Sequence, residues 1–305
     1  MDLYQLRALR EVAEQGSIAG AARALGVTSS ATSQVIASLQ RQFSAPLTQR
    51  RGRKVELTDV GRALLVEAAA VSEAVSRAEN VVGRYFDDPV AKVRVSAFHS
   101  AAVEFFPSLV AWGNGEDRPL VECVDEDVAI EEFPALTANY DIVIAHRMGH
   151  RRSWESPLLT VIPLLQEPID VAIRADHPLA KHASLTPTDV MGHNWVATHD
   201  GYSPAALLDA VSAVSGTPPR IRHRINDFVT AAAMVAEGNY LALLPRHTAA
   251  PAADSGVVLR PLSGLRTTRH IDLLLRPEQQ HRTAVALVAH HLQGLAAKLV
   301  TGKTS

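Results

Sequence analysis

The stretch from Ser17 to Leu39 most narrows what this 305-residue chain can fold into. Ser17 supplies a cap oxygen for a short helix from Ile18 to Leu25, and Gly26 stands where a left-handed residue closes it. Gly20, Ala21 and Ala22 leave so little side chain that another helix crosses closely. Thr28 caps a further helix running to about Phe43, with Ala31, Val35, Ile36 and Leu39 facing inward. Ahead of both, Leu3, Leu6, Leu9, Val12 and Ala13 recur at the three- and four-residue spacing of an amphipathic helix that Gly16 stops. Two helices joined through a short glycine turn make a helix-turn-helix, a unit whose second helix fits the major groove of duplex DNA.

The following residues extend this unit. Pro46 to Gln49 and Val55 to Leu57 read as two short strands around Arg50-Arg51-Gly52-Arg53-Lys54. Four positive charges at such a hairpin tip form a wing suited to phosphates or a minor groove. The chain carries a net charge of −2, yet residues 1–65 hold nine Lys/Arg against five acids, so a +4 head sits on a −6 remainder. That split fits a polyanionic partner for the head. No Lys or Arg lies between Thr28 and Gln40, so base reading rests on neutral groups. Gln34 can pair bidentately with adenine, and Ser29, Ser30, Thr32 and Ser33 can touch bases or phosphate oxygens. For Thr32, packing inward is an equal alternative. Arg23, Arg41 and the wing (Arg50, Arg51, Arg53, Lys54) supply positioning energy.

Ser17-Ile18, Ala21 through Thr28, Ser33-Gln34-Val35-Ile36, Leu39, Pro46-Leu47, Arg50 and Leu57-Thr58-Asp59-Val60-Gly61 resemble, in register, the N-terminal signature of LysR-type transcriptional regulators. Three positions depart from it: Gln40 stands for Glu, Ser44 for Gly and Thr48 for Phe. The resemblance implies that Ser29, Ser30, Ser33 and Gln34 face double-stranded promoter DNA. It also implies a homodimer or a homotetramer built as a dimer of dimers. A small-molecule effector, with no resident cofactor, would complete the set. Whether the bound protein recruits or blocks RNA polymerase is left open by these residues.

Thr58 caps a long helix reaching about Phe86, where Asp87-Asp88-Pro89 breaks it. Gly61, Leu64, Ala68, Val71, Val75, Ala78, Val82 and Tyr85 step by three and four along it, which is a heptad seam for a second copy. Beyond Pro89, short apolar runs alternate with helical stretches, the mark of a largely parallel sheet with helices on its faces. Strands are expected at Val93–Ala97, Leu120–Val124, Ile142–Ala145, Ile169–Ile173, Trp195–Ala197, Arg220–Ile225, Tyr240–Leu244 and His270–Leu275. The expected fold is therefore an N-terminal all-α winged helix-turn-helix (1–58), a linker helix (59–88) and a two-lobed α/β body (89–305). One lobe takes about 90–164 and 268–305, the other about 165–267. Asp141-Ile142-Val143-Ile144, His177-Pro178-Leu179 and Gly238 through Pro245 resemble, more weakly, the effector-binding half of the same family, itself similar to periplasmic solute-binding proteins.

Ligands of such sheets lie beyond the carboxyl ends of strands. That geometry selects Phe98, His99 and Ser100, then Glu126 and Asp127, then His146 and Arg147, and in the other lobe Thr198, His199, Asp200, Asn226 and Asp227. The His, Arg and hydroxyl groups suit a small anion, whereas Asp127, Asp200 and Asp227 suit an amine, so the ligand's chemistry stays open.

Other classes fit poorly. Apolar residues at 47% and charged residues at 20% are ordinary for a globular protein. Cys123 is the single cysteine, which leaves no internal disulfide or cysteine-rich metal site. Thirteen histidines invite a metal, but His290 and His291 point to different helix faces and Gly149 splits His146 from His150. No uninterrupted apolar run reaches membrane-spanning length and no export signal opens the chain, so no membrane partner and a cytoplasmic location are expected. An enzyme lacks support: there is no Gly-x-Ser-x-Gly elbow, phosphate loop or dinucleotide fingerprint.

Overall fold

The computed structural model describes every residue except 53, 84–90, 150–152, 155, 251–254 and 303–305, and only the backbone of 80–83 and 302. Arg53, Tyr85, His150 and the break at Asp87–Pro89 thus lie outside the described residues, as does the Val82 side chain.

Helix α1 (Leu3–Gln15) starts at a capping box between Asp2 and Gln5. Helix α2 (Ile18–Leu25) is capped by Ser17 and ends at Gly26, whose φ of 67° puts it in the left-handed region. Helix α3 (Ser29–Gln40) is capped by Thr28 and stops short of Phe43. The reason is Gln40. Its amide donates to Ala45 O at 2.9 Å and accepts from Leu47 N at 2.7 Å, so it clamps the turn that a helix would otherwise occupy. A carboxylate could not donate, so glutamine is the better clamp here.

Strands β1 (Thr48–Arg51) and β2 (Lys54–Leu57) form the antiparallel wing, with Arg51 opposite Lys54. Arg51 and Lys54 are the last pair before the turn and Arg50 stands one position behind, so these charges gather at the tip end of the hairpin. Pro46, which has no N–H for a ladder, lies outside the strand. Val55 N donates to Gly16 O at 2.9 Å, tying the wing to the α1–α2 turn. Leu9, Leu39, Leu47, Leu57 and Leu65 form the core of this head.

Helix α4 (Asp59–Gly83) begins at Thr58, whose hydroxyl accepts from Gly61 N. The heptad seam divides in two. Gly61 and Ala68 pack inside the chain's own head and Val75 is half-buried, whereas Val71 and Ala78 are exposed. The first turns of the seam are consumed by the head, because Gly61 lies directly beneath the Leu47 carbonyl.

The body continues with β3 (Val93–Ala97), α5 (His99–Gly113), β4 (Val121–Asp125), a 3-10 turn (Ile130–Glu132), α6 (Phe133–Leu136) and β5 (Ile142–Met148). Next come β6 (Thr160–Arg174), a 3-10 turn (Pro178–Lys181), α7 (Pro187–Met191), β7 (Asn194–Ala197), α8 (Ser203–Ser215), β8 (Arg220–Arg224), α9 (Phe228–Glu237) and β9 (Tyr240–Pro245). Strands β10 (Val257–Arg260) and β11 (Thr268–Leu275), a 3-10 turn (Pro277–His281) and α10 (Thr283–Gly302) finish it.

The sheet order is β4-β3-β5-β11-β6-β9-β7-β8, with β10 also on β6. Strand β6 is continuous through both halves. Its first part pairs with β11, and its second with β9 and β10. The expected strand at 169–173 is therefore the end of a 15-residue strand. Each half has its own core. The first gathers Phe105, Leu109, Ile142, Ile144, Leu273, Val285 and Leu292, the second Ile169, Val171, Trp195, Leu207 and Leu241. Helix α10 is long and apolar enough to cross a membrane by composition, but Val285, Val288, Leu292 and Ala296 are buried in the first core.

Candidate DNA interface and effector cleft

On α3 the residues Ser29, Ser30, Ser33, Gln34 and Ala37 are exposed and continue to Arg41 just past the helix, while Leu39 is buried. Thr32 is fully buried and its hydroxyl donates to Thr28 O at 3.2 Å, so it packs inward and is unavailable to bases. Arg23 on α2 is exposed, as are Arg50, Arg51 and Lys54 of the wing. Arg51 makes a loose contact of 3.9 Å with Glu56 while its side chain stays 82% exposed. The head thus presents a neutral hydrogen-bonding helix face together with exposed cations, and a buried leucine core fixes both.

Where the two halves of the body meet, Phe98, His99, Ser100, Asp127, His146, Thr198 and Asn226 line one cavity with Tyr202, Ser203, Phe228 and Arg269. The cavity holds about 20 Å³, room for roughly one water. Five expected residues are absent from the lining: Glu126, which accepts from Tyr140 Oη, Asp200, which pairs with Arg224, Asp227, which caps α9, and Arg147 and His199. Strand β5 runs on to Met148, so alternation sends Arg147 to the opposite face from His146, where it binds Asp272 at 3.0 Å. His199 offers its backbone N–H to Asn226 Oδ1 at 2.9 Å while the residue itself is exposed.

Sequence reading also missed the strongest electrostatic feature. Arg269 and Glu167 are fully buried and pair at 2.7 Å across the two crossing strands. Glu167 also accepts from His247 N and Thr248 N, and Arg269 donates to Ser100 Oγ and Thr248 Oγ1. The guanidinium carbon lies 5.0 Å from the centre of the Phe98 ring. Glu167 and Arg269 share their strands with other charges, Asp170 on β6 and Asp272 on β11, and their pairing spans 102 positions.

His146 is buried edge-on to Phe98 and Phe133, with Nδ1 at 2.8 Å from Ser203 Oγ. Burial, reinforced by Arg269, holds it neutral far below the usual imidazole range. Thr198 Oγ1 is buried at the lining with no hydrogen-bond partner. His99 behaves oppositely. Its ring nitrogens reach Asp125 of the first lobe at 2.9 Å and Asp227 of the second at 3.4 Å. The hydrogen bond to Asp125, with further attraction from Asp227 and Asp127, raises its pKa.

Because the folded-state value is raised, this bridge stabilises fully below about pH 6.5 and is lost as pH rises through the folded pKa. His99→Asn should therefore cost stability at pH 5.5 and almost none at pH 9, as read by urea unfolding at each pH. A pH-independent difference would contradict the bridge.

A larger cavity of about 540 Å³ lies beyond His99, Ser100 and Phe228, between α5 and α9, and is floored by Val103, Ala232, Ala233 and Ala236. Cys123 is half-buried on β4, and burial pushes its thiol up to about 11, so it is unreactive at neutral pH. No cluster of three or more His, Cys, Asp or Glu among the described residues has the geometry of a metal site.

Residues 87–297 match the LysR substrate binding domain, and residues 3–62 match the bacterial regulatory helix-turn-helix protein of the lysR family. The chain belongs to the LysR family of transcriptional regulators. It is 26% identical to the transcriptional dual regulator GltC of Bacillus subtilis over 90% of both chains. A variant of full-length OxyR from Pseudomonas aeruginosa shares the fold at a TM-score of 0.62 and 19% identity, covering 96% of this chain and 98% of that one. CbnR in complex with its target DNA matches at a TM-score of 0.53 and 21% identity, covering 97% of this chain and all of the other. This LysR-family member is a DNA-binding transcriptional regulator with an effector-binding region, and the family is not one of enzymes.

Proposed function

We propose that this LysR-family regulator grips duplex promoter DNA as a homodimer or dimer of dimers and responds to a small polar effector taken up between its two lobes. The exposed α3 face beside exposed cations carries the reading. Gln34, Ser29, Ser30 and Ser33 meet base edges and phosphate oxygens, while Arg23, Arg41, Arg50, Arg51, Arg53 and Lys54 hold the backbone. Val71 and Ala78, exposed on the free half of α4, offer the surface for a second copy. Acting on promoter DNA places the protein in the cytoplasm.

The unpartnered hydroxyl of Thr198 supports a ligand at the lobe boundary, since a buried polar atom without a partner calls for one. The cavity that Thr198 lines has room for about one water, so an effector that reaches this hydroxyl must part the lobes there. Ser100, Ser203, Asn226, Asp127 and His99 would then surround it with Phe98 and His146. A ligand that prefers the parted lobes shifts the population toward them and with it the placement of the heads. The single cysteine excludes sensing by an intramolecular disulfide.

The test is DNA binding across a salt series. Each phosphate contact contributes about 0.9 to the log–log salt slope, so Arg51→Ala with Lys54→Ala should lower the slope by about two per head and weaken binding to all sequences alike. An unchanged slope would remove the wing from the interface.

A further inference from the structure

The head does not sit free of the body. Arg10, on α1, is buried, and its guanidinium reaches Glu278 at 2.9 Å, Leu158 O at 3.1 Å and Glu14 of its own helix at 2.9 Å. From the body, Arg276 reaches Glu11 and Glu14 of α1, both at 2.6 Å. Glu11 and Arg276 are 2% and 8% exposed at their side chains. Helix α4 joins the same seat: Ser76 Oγ donates to Glu278 O at 2.7 Å, and Glu73 meets His281 at 3.1 Å.

Two features set this cluster apart from ordinary surface pairs. Its core charges are withdrawn from water, where losing one partner strands the others. It is also incompletely satisfied, because Glu11 Oε2 and Arg276 Nε are buried without partners. Such a network holds one arrangement tightly yet gains little from being the only arrangement, which is the character of a two-state contact.

The location of Arg276 gives the contact a direction. It follows the last residue of β11, and the same strand carries Arg269 inside the interlobe cavity. The two arginines are seven positions apart, a distance of about 23 Å along an extended strand. Between them Asp272 is held by Arg147 and Trp154, at the point where the register with β6 shifts. The strand therefore has a buried charge at the cleft and another at its middle, and leads directly to a third against the reader head.

We propose that Arg10, Glu11, Glu14, Arg276 and Glu278 form a latch seating the DNA-reading head on the body of its own chain, with β11 passing the state of the cleft to it. This rests on the effector-controlled reading above. Arg276 is a positioning residue: it touches neither DNA nor effector, and it sets where α1, and with it α3, is held.

The test uses the full-length protein, with hydrogen exchange for the seat and mobility shift on the upstream promoter fragment for its consequence. Arg276→Met and, separately, Glu278→Gln should raise exchange in residues 276–282 and 69–79 by about tenfold. Both should change DNA affinity or the protected footprint while the unfolding transition of the α/β body stays in place. Arg276→Met strands Glu11 in the interior, so the combination Glu11→Gln, Glu14→Gln and Arg276→Met guards against simple misfolding. Unaltered exchange in the variants would overturn the latch. Faster exchange with unchanged affinity and footprint would overturn its coupling to DNA. A wild-type chain that shifted no promoter DNA would defeat the functional reading and the coupling with it, while exchange alone would still decide whether the head is seated.

Discussion

Glu167→Ala should destabilise the α/β body by about 3–5 kcal/mol, the cost of leaving a buried charge without its partner. Arg269 is 2% exposed at its side chain and Glu167 fully buried, so neither charge can turn to water once the other is removed. Alanine also strands the His247 and Thr248 amides that Glu167 accepts. Urea unfolding followed by Trp fluorescence reads the loss, since Trp195 lies in the second core and Trp154 packs against the first. Replacing Glu167 and Arg269 together by Met should recover only the part of the loss that comes from the stranded guanidinium, because the His247 and Thr248 amides stay without their acceptor. A single-variant loss below about 1 kcal/mol would mean that the pair is solvated and the closed cleft is not dry.

Gly61→Ala should cost the head about 3 kcal/mol or more, at or beyond the upper end of ordinary overpacking. A Cβ there would stand 2.0 Å from Leu47 O and 3.3 Å from Leu57 Cβ. The obstacle is backbone, and Leu47 O already accepts from Thr58 N at 3.0 Å, so it cannot withdraw without breaking the start of α4. Calorimetry should show the head melting earlier while the body's transition holds, and promoter binding should fall with the head's folded fraction. Wild-type melting of this variant would show that the crossing of α4 over the wing is looser than described.

These two sites show what sequence could and could not disclose. The head was readable because its signals are local: Ser17, Gly26 and Thr28 act on amides a few residues away, and α2 has the bounds its caps set. Helix α9 is bounded by signals of the same local kind, with Asp227 accepting from Thr230 N at its start and Gly238 at its end. Seven of the twelve residues selected at strand ends line one cavity, because strand ends in an α/β sheet converge there. Arg147 failed by parity: a strand expected to stop at Ala145 continues to Met148 and turns the side chain away. The length of β6 was hidden by Pro163 and Pro168 and by a change of pairing partners midway, which leaves no single period to read. Arg269 with Glu167, and Arg276 with Glu11, were beyond reach because each pair joins positions more than a hundred residues apart. A charge in a buried segment calls for a partner without saying where it lies.

Hydroxyl-radical footprinting of the full-length protein on the DNA upstream of its own gene tests the central claim most directly. Two paired heads reading through α3 should protect two patches on one face of the duplex, centred about 34–36 Å or a multiple of it apart. Both patches should fade together in Gln34→Ala. A single protected patch, or protection that survives the loss of Gln34 unchanged, would contradict the account.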